Sequence, residues 1–186
     1  MNLPNALTIL RLFLVPVFVY SYKIGGGTLT ERIITTSIFI LASLTDILDG
    51  WIARKFNKVT DFGKLADPVA DKLMQLSVVW CLAIDGRISL WILALFAFKE
   101  SVLIVGGLKL LKDKFVVQSK WSGKIATVIL FLCVTAVLLT DETVLSKSHA
   151  TAIMTVSLIF TAIAFFDYIK MYIRVRENMQ KSKESK

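Results

Sequence analysis

The chain has 186 residues, of which 55% are hydrophobic, and carries a formal net charge of +8; its mean hydropathy is +0.67. A soluble domain of such apolar content would not concentrate it into long unbroken runs, and the basic residues lie between those runs, so the charge speaks of membrane topology rather than of nucleic acid. With two cysteines and one histidine, a disulfide scaffold and a zinc centre are both excluded as organising principles.

Six apolar stretches have the length needed to cross a hydrocarbon core, about 17–25 residues: 6–22, 33–53, 67–84, 88–110, 122–140 and 150–170. They predict an all-α polytopic membrane protein of six transmembrane helices, with a single membrane domain over 1–175 and a basic, frayed tail over 176–186. The first run is not expected to be a cleaved signal: no positive charge precedes it, Arg11 interrupts it, and no small-residue cleavage site follows. Pro4 and Asn5 open this helix, and Pro16 removes one backbone donor inside it. Gly25, Gly26 and Gly27 form an outer turn, without the following Lys-Ser or Lys-Thr of a phosphate loop.

The second run ends in acidic residues and the third begins with them, around a turn over 57–60. Asp46, Asp49, Gly50 and Ala53 stand at i, i+3, i+4 and i+7, one helix face; Gly63, Asp67 and Asp71 stand at i, i+4 and i+8, again one face. Two antiparallel helices would thus present four carboxylates to one volume, with the small residues leaving room for a ligand and Arg54 at the mouth. Like charges so close need a cation. Oxygen ligands without histidine or cysteine suit Mg²⁺ or Mn²⁺, or Ca²⁺, rather than zinc, and four carboxylates suffice for two ions about 3.5–4 Å apart. The competing reading is of helix-end charges in water, paired with Arg54, Lys55, Lys64 and Lys72. Any single aspartate fits that reading; four on two matching faces near a membrane favour a site.

The fourth run carries Lys99, Glu100 and, toward its end, Lys109. Lys112 and Lys114 make the following loop positive, and Lys124 follows Ser122 and Gly123 at the start of the fifth run. Cys81 and Cys133 lie within apolar runs as small core residues. Trp51, Trp80, Trp91 and Trp121 fall near helix ends, as interfacial anchors do. His149 lies in a short outer loop. With the amino terminus inside, the outer segments hold only Lys23, Arg32, Arg87 and Lys147, while the inner ones collect Arg54, Lys55, Lys58, Lys64, Lys112, Lys114, Lys120 and a tail with Lys170, Arg174, Arg176, Lys181, Lys183 and Lys186. The positive-inside bias places both termini and the carboxylates in the cytoplasm.

The acidic stretch, Asp46-x2-Asp49-Gly50-x2-Ala53-Arg54-x8-Gly63-x3-Asp67-x3-Asp71, resembles at every fixed position the signature of the CDP-alcohol phosphotransferase (CDP-alcohol phosphatidyltransferase) family, which has a six-helix membrane core of about this length. NLPNALTILRLFLVPVFV and DFGKLADPVADKL are similar to the bacterial branch that makes phosphatidylglycerophosphate. The resemblance implies a metal-dependent phosphatidyltransferase of phospholipid biosynthesis in a bacterial cell membrane: CDP-diacylglycerol and glycerol 3-phosphate are its substrates and CMP is released. It implies that Asp46, Asp49, Asp67 and Asp71 bind one or two Mg²⁺ (or Mn²⁺) ions, that Asp71 is also the catalytic base, and that Asp46, Asp49, Gly50, Ala53, Arg54 and Gly63 hold the CDP moiety. It further implies a homodimer. Lys99, Lys109 and Lys124 match basic positions that would hold the acceptor's phosphate; for Lys99 the alternative is a simple pair with the adjoining Glu100, and Lys109 is equally open. At Lys99 and Lys109 the branch typically has arginine, and a lysine replaces a planar two-pronged fork with a point charge. Other acceptors remain within the family: phosphatidylglycerol, as in cardiolipin synthesis, serine, or an inositol phosphate. Outside it, a divalent-cation transporter would need polar residues continuing across the membrane, and ITTSIFILASL and VVWCLAI offer few.

Overall fold

The computed structural model describes the backbone of residues 3–25, 27–55, 61–112 and 121–184, and the side chains of 6–25, 27–46, 48, 69–106 and 121–174. Six helices follow one another: α1 (Leu3–Ile24), α2 (Leu29–Lys55), α3 (Asp61–Ile84), α4 (Leu90–Lys112), α5 (Trp121–Leu139) and α6 (Lys147–Glu184). No strand occurs among the described residues. Each helix contains one of the expected apolar runs, or nearly all of it, and α1 continues unbroken through Pro16. The turn predicted over 57–60 lies outside the described residues.

α3 begins at Asp61, ahead of its apolar run, and two further differences from expectation have identifiable reasons. α2 begins before its apolar run because Thr28 caps it: the Thr28 N–H and hydroxyl donate to Glu31 Oε2 at 3.0 and 2.7 Å, and the Glu31 N–H returns to Thr28 Oγ1 at 3.4 Å. This reciprocal pairing is a capping box. α6 runs for 38 residues, through Glu184, where a frayed tail was expected. Its last turns hold arginine, glutamate, methionine, glutamine and lysine, all good helix formers, with neither glycine nor proline.

Apolar side chains from all six helices meet in one core that includes Leu14 and Phe18 of α1, Phe39 of α2, Val78 and Leu82 of α3, Ile92 and Phe96 of α4, Leu130 and Val134 of α5, and Met154 of α6. α1 packs on α2 and α3, α5 on α2 and α6, and α4 on α3 and α6. Phe39 stacks on Phe131 at 5.7 Å between ring centroids, joining α2 to α5. Large apolar side chains also cover the outside, among them Phe13, Tyr20, Phe98, Leu132 and Phe166. In water so much exposed apolar surface would drive association; in lipid it is the expected exterior. Among the described residues, Ala6–Ile24, Trp121–Leu139 and Lys147–Arg174 are long and apolar enough to span a membrane. Hydroxyls facing this apolar medium are satisfied within their own helices, as Ser43 on Phe39 O (2.9 Å) and Ser77 on Leu73 O (2.7 Å).

The bundle end remote from the aspartates is tied by ion pairs between loops and helix ends. Lys23 meets Asp85 at 2.5 Å, Arg32 pairs with Asp141, and Arg87 lies 3.6 Å from Glu142 while donating to Thr140 O. The Thr143 backbone N–H and the Arg32 guanidinium hold the Asp141 carboxyl down at about 2. Gly86, at φ +78°, supplies the left-handed residue that turns the chain from α3 toward α4.

Candidate active site

α2 and α3 bring Asp46 and Asp71 to one groove. Its cavity, of about 170 Å³, is lined at the polar end by Arg11, Asp46, Asp71 and Gln75, and along its length by Phe39, Met74, Leu130 and Phe131, among others. The two ends of the acidic signature therefore converge, as their helical spacing requires. The groove continues as an apolar slot between α2 and α5, so a molecule seated in it would have a charged head at the carboxylates and an apolar body among phenylalanine and leucine.

Each aspartate has its own support. Arg11 Nη1 lies 2.9 Å from Asp46 Oδ1; the arginine side chain is 1% exposed and the aspartate 39%. An arginine so deep in an apolar helix is costly without an anionic partner, and Asp46 is one such partner. Gln75, one helical turn beyond Asp71, donates from Nε2 to both carboxylate oxygens, at 2.9 and 3.1 Å. A planar amide spanning both oxygens sets the rotation of the carboxylate. On the other flank of Asp71, Lys72 Nζ stands 3.8 Å from Asp71 Oδ2 and 3.1 Å from Glu100 Oε2. Glu100 Oε1 in turn lies 2.7 Å from Lys99 Nζ. Both Glu100 contacts hold by charge and proximity rather than by well-aligned hydrogen bonds.

The sequence expectations meet this geometry unevenly. Asp46 and Asp71 share the groove. Asp49, Gly50, Ala53 and Arg54 lie on α2, and Gly63 and Asp67 on α3, but their side chains fall outside the described residues, as does that of Lys109 on α4. Lys99 is buried, paired with Glu100 and 4.4 Å from the centre of the Phe96 ring. Lys124 is exposed on α5, 5.2 Å from the centre of the Trp121 ring, one turn before Thr127 and Val128, which line the groove. Among the described residues no three histidine, cysteine, aspartate or glutamate side chains cluster as a metal site; the described half of the proposed ligand set, Asp46 and Asp71, offers oxygen donors alone, which fits Mg²⁺ or Mn²⁺.

Sequence reasoning missed Gln75, saw Arg11 only as an interruption of the first run and Glu100 only as a neighbour able to pair with Lys99, and saw Lys72 only as a charge partner. Arg11 had a usable signal: a lone arginine inside a spanning run is functional until shown otherwise. Gln75 had a weaker one, its i+4 spacing from Asp71. For the Lys72–Glu100 contact, which joins two helices, no local pattern exists. Among the described residues the centre beyond Asp71 is filled by Val78, Leu82, Ile92, Phe96 and Val134, and the buried polar groups at other depths are hydroxyls such as Thr35, Thr36 and Ser157 rather than carboxylates, which opposes the transporter reading.

A helical bundle with an apolar exterior, and a groove that is apolar along its length and carboxylate-lined at one end, fits a membrane protein. The chain belongs to the CDP-alcohol phosphatidyltransferase family, whose pattern matches residues 1–163, and so to the transferases. It is 32% identical over 174 residues to the probable phosphatidylglycerophosphate synthase of Mycobacterium tuberculosis, covering 93% of this chain and 82% of that one. It is 31% identical over 179 residues to the CDP-diacylglycerol–glycerol-3-phosphate 3-phosphatidyltransferase of Bacillus subtilis, covering 90% and 93%. A shorter match, 49% over 73 residues and 39% of each chain, is to the enzyme of the same name from Rickettsia felis.

Proposed function

We propose that the protein transfers the phosphatidyl group of CDP-diacylglycerol to glycerol 3-phosphate, giving phosphatidylglycerophosphate and CMP. The observation that carries this reading is the groove in which Asp46 and Asp71 stand at the head of an apolar slot: it matches a substrate with a diphosphate head and acyl tails, and the family and the names of the relatives supply the chemistry. The six helices would all span the membrane, with both termini and the site on the cytoplasmic side and a second copy completing a homodimer. Residues 1–175 form the catalytic domain, and 176–186 its basic cytoplasmic end.

In this reading Asp46, Asp49, Asp67 and Asp71 hold one or two Mg²⁺ (or Mn²⁺) ions, which when bound neutralise the diphosphate and make CMP a better leaving group. Gly50, Ala53 and Gly63 let the nucleotide approach the helix backbones, and Arg54 faces its phosphates. Asp71, held in rotation by Gln75, accepts the proton of the acceptor hydroxyl, for which it must reach within about 2.6–3.2 Å. The acceptor oxygen forms its bond to the β-phosphorus; the bond from that phosphorus to the bridging oxygen breaks, and its electron pair leaves with CMP. Asp46, held by Arg11, stays turned toward the groove throughout. Lys109 and Lys124 are proposed to draw the acceptor's phosphate toward the site, while Lys99 is paired with Glu100. The test is CMP release by the purified protein in detergent with Mg²⁺, CDP-diacylglycerol and a panel of alcohols. A signal dependent on glycerol 3-phosphate is expected; its absence, with release on serine or phosphatidylglycerol, would reassign the acceptor.

A further inference from the structure

Glu100 is a carboxylate with 3% of its side chain exposed, and it touches two ammonium groups at once, Lys99 on its own helix and Lys72 on α3. With Asp71 the cluster holds two ammoniums and two carboxylates. The two lysines are not equivalent. Lys99 is 10% exposed and lies against the Phe96 ring, so it serves to neutralise Glu100. Lys72 is 27% exposed and its ammonium also stands 3.8 Å from Asp71 Oδ2. Lys72 is therefore the cation of this cluster that faces the site, next to the carboxylate proposed to take the acceptor's proton.

From this geometry we infer that Lys72 binds the phosphate of the acceptor, and that Glu100, itself neutralised by Lys99, is the positioning residue that holds Lys72 there. The inference rests on the proposed reaction and names the group that makes it selective for a phosphorylated alcohol. An ammonium on a four-carbon stem is mobile and binds phosphate as a point charge; a fixed carboxylate 3.1 Å away restricts it before the substrate arrives, so less freedom is lost on binding. Asp71 stands between the groove, where the lipid donor would lie, and Lys72. A short acceptor could thus give its hydroxyl to Asp71 while its phosphate meets Lys72, without entering the apolar slot. Lys99 does not reach the acceptor in this arrangement and acts through Glu100.

The experiment uses the full chain in detergent with Mg²⁺ and compares wild type with Lys72→Met, Lys72→Arg and Glu100→Gln, varying CDP-diacylglycerol and glycerol 3-phosphate separately. Methyl phosphate serves as a competitive probe of the phosphate subsite. Loss of one charge-assisted contact should raise the glycerol 3-phosphate KM of Lys72→Met about tenfold or more, with the CDP-diacylglycerol KM moving far less; methyl phosphate inhibition should weaken in parallel. Lys72→Arg should recover most of the affinity, and Glu100→Gln should raise the same KM by a smaller factor. If Lys72→Met lowers only kcat, or raises both KM values alike, the lysine merely balances Asp71 and the inference is overturned. Size-exclusion profiles and melting curves establish folding; where methionine is not tolerated, Lys72→Gln is read in the same way. A wild-type protein that releases no CMP with glycerol 3-phosphate overturns the proposed reaction instead, and the subsite falls with it.

Discussion

Arg11→Met tests whether the buried arginine serves the site or only the bundle. Methionine keeps most of the side-chain volume within α1 and removes the charge beside Asp46. Breaking a fully buried pair costs about 3–5 kcal/mol, whereas an exposed pair is worth about 0.2–1 kcal/mol. This pair is mixed, with the arginine 1% and the aspartate 39% exposed, so solvent at the aspartate screens part of the effect. A charge-assisted contact of about 1.5–3 kcal/mol is the fitting estimate, which corresponds to about a 10- to 150-fold change in an equilibrium constant. If Arg11 orients Asp46 for the diphosphate, that loss falls on kcat/KM for CDP-diacylglycerol and on the Mg²⁺ concentration for half-maximal CMP release, while the glycerol 3-phosphate KM moves little. Direct Mn²⁺ binding, followed by its paramagnetic signal, should weaken in step. Arg11→Lys, with one point charge in place of a fork, should fall between. A variant that melts earlier yet keeps wild-type kcat/KM and Mn²⁺ affinity would refute the link to catalysis and leave Arg11 as a packing residue.

Other expectations follow from single contacts. Asp71→Asn removes the proton acceptor while keeping the shape beside Gln75, so CMP release should fall at least about 10²-fold, the usual contribution of a general base, with CDP-diacylglycerol still bound in a filter assay; normal turnover would end the assignment of Asp71 as base. Lys124→Ala should raise the glycerol 3-phosphate KM if this exposed lysine reaches the acceptor, and an effect confined to the CDP-diacylglycerol KM would instead place it over the donor groove. At the opposite end, the folded Asp141 carboxyl titrates at about 2, below the unfolded value of about 3.9. Its contribution to stability is therefore complete above about pH 4 and is lost as pH falls toward 2. The melting temperature of Asp141→Asn should lie below wild type at neutral pH, and the two curves should converge over that acid interval; convergence at neutral pH would show that the Arg32 contact does not stabilise the fold.

The helices were legible because each carries an apolar stretch long enough to stand out in the sequence, and three of them, among the described residues, are long and apolar enough to span a membrane. The exception is instructive. α6 extends past its apolar segment because helix propensity continues where hydrophobicity stops, and a reading based on hydropathy ends too soon. The convergence of Asp46 and Asp71 was equally legible, since helical periodicity fixes a face and a short turn fixes an antiparallel neighbour. What the spacing could not supply was the supporting set: Arg11 lies on α1, distant in sequence from Asp46, and Glu100 reaches Lys72 across two helices. Such contacts depend on how helices rotate against one another, which no local pattern encodes. Lys99 shows the cost of reasoning by position alone. Its match to a basic position suggested a phosphate ligand and its neighbour Glu100 a simple pair, and position alone could not choose; the structure places it against Glu100 and Phe96.

The two ends of the bundle handle charge in different ways, and the difference bears on function. At the end tied by Lys23, Arg32 and Arg87, charges join loops and helix ends, and the acidic partners Asp85, Asp141 and Glu142 are more than a third exposed; such pairs are inexpensive to place and can fix a fold. At the other end Arg11, Lys99 and Glu100 are at least nine-tenths buried within helices, where apolar residues of similar size would often be no less stabilising. Stability alone therefore does not account for them. Arg11 contacts Asp46 directly, Glu100 reaches Asp71 through Lys72, and Lys99 acts one step further back, on Glu100. In the proposed reaction the carboxylates meet a diphosphate and need to be held in one orientation before the substrate arrives, and buried partners hold a side chain more firmly than solvated ones. The costly charges are found where preorganisation is needed, and the inexpensive ones where only the fold is at stake.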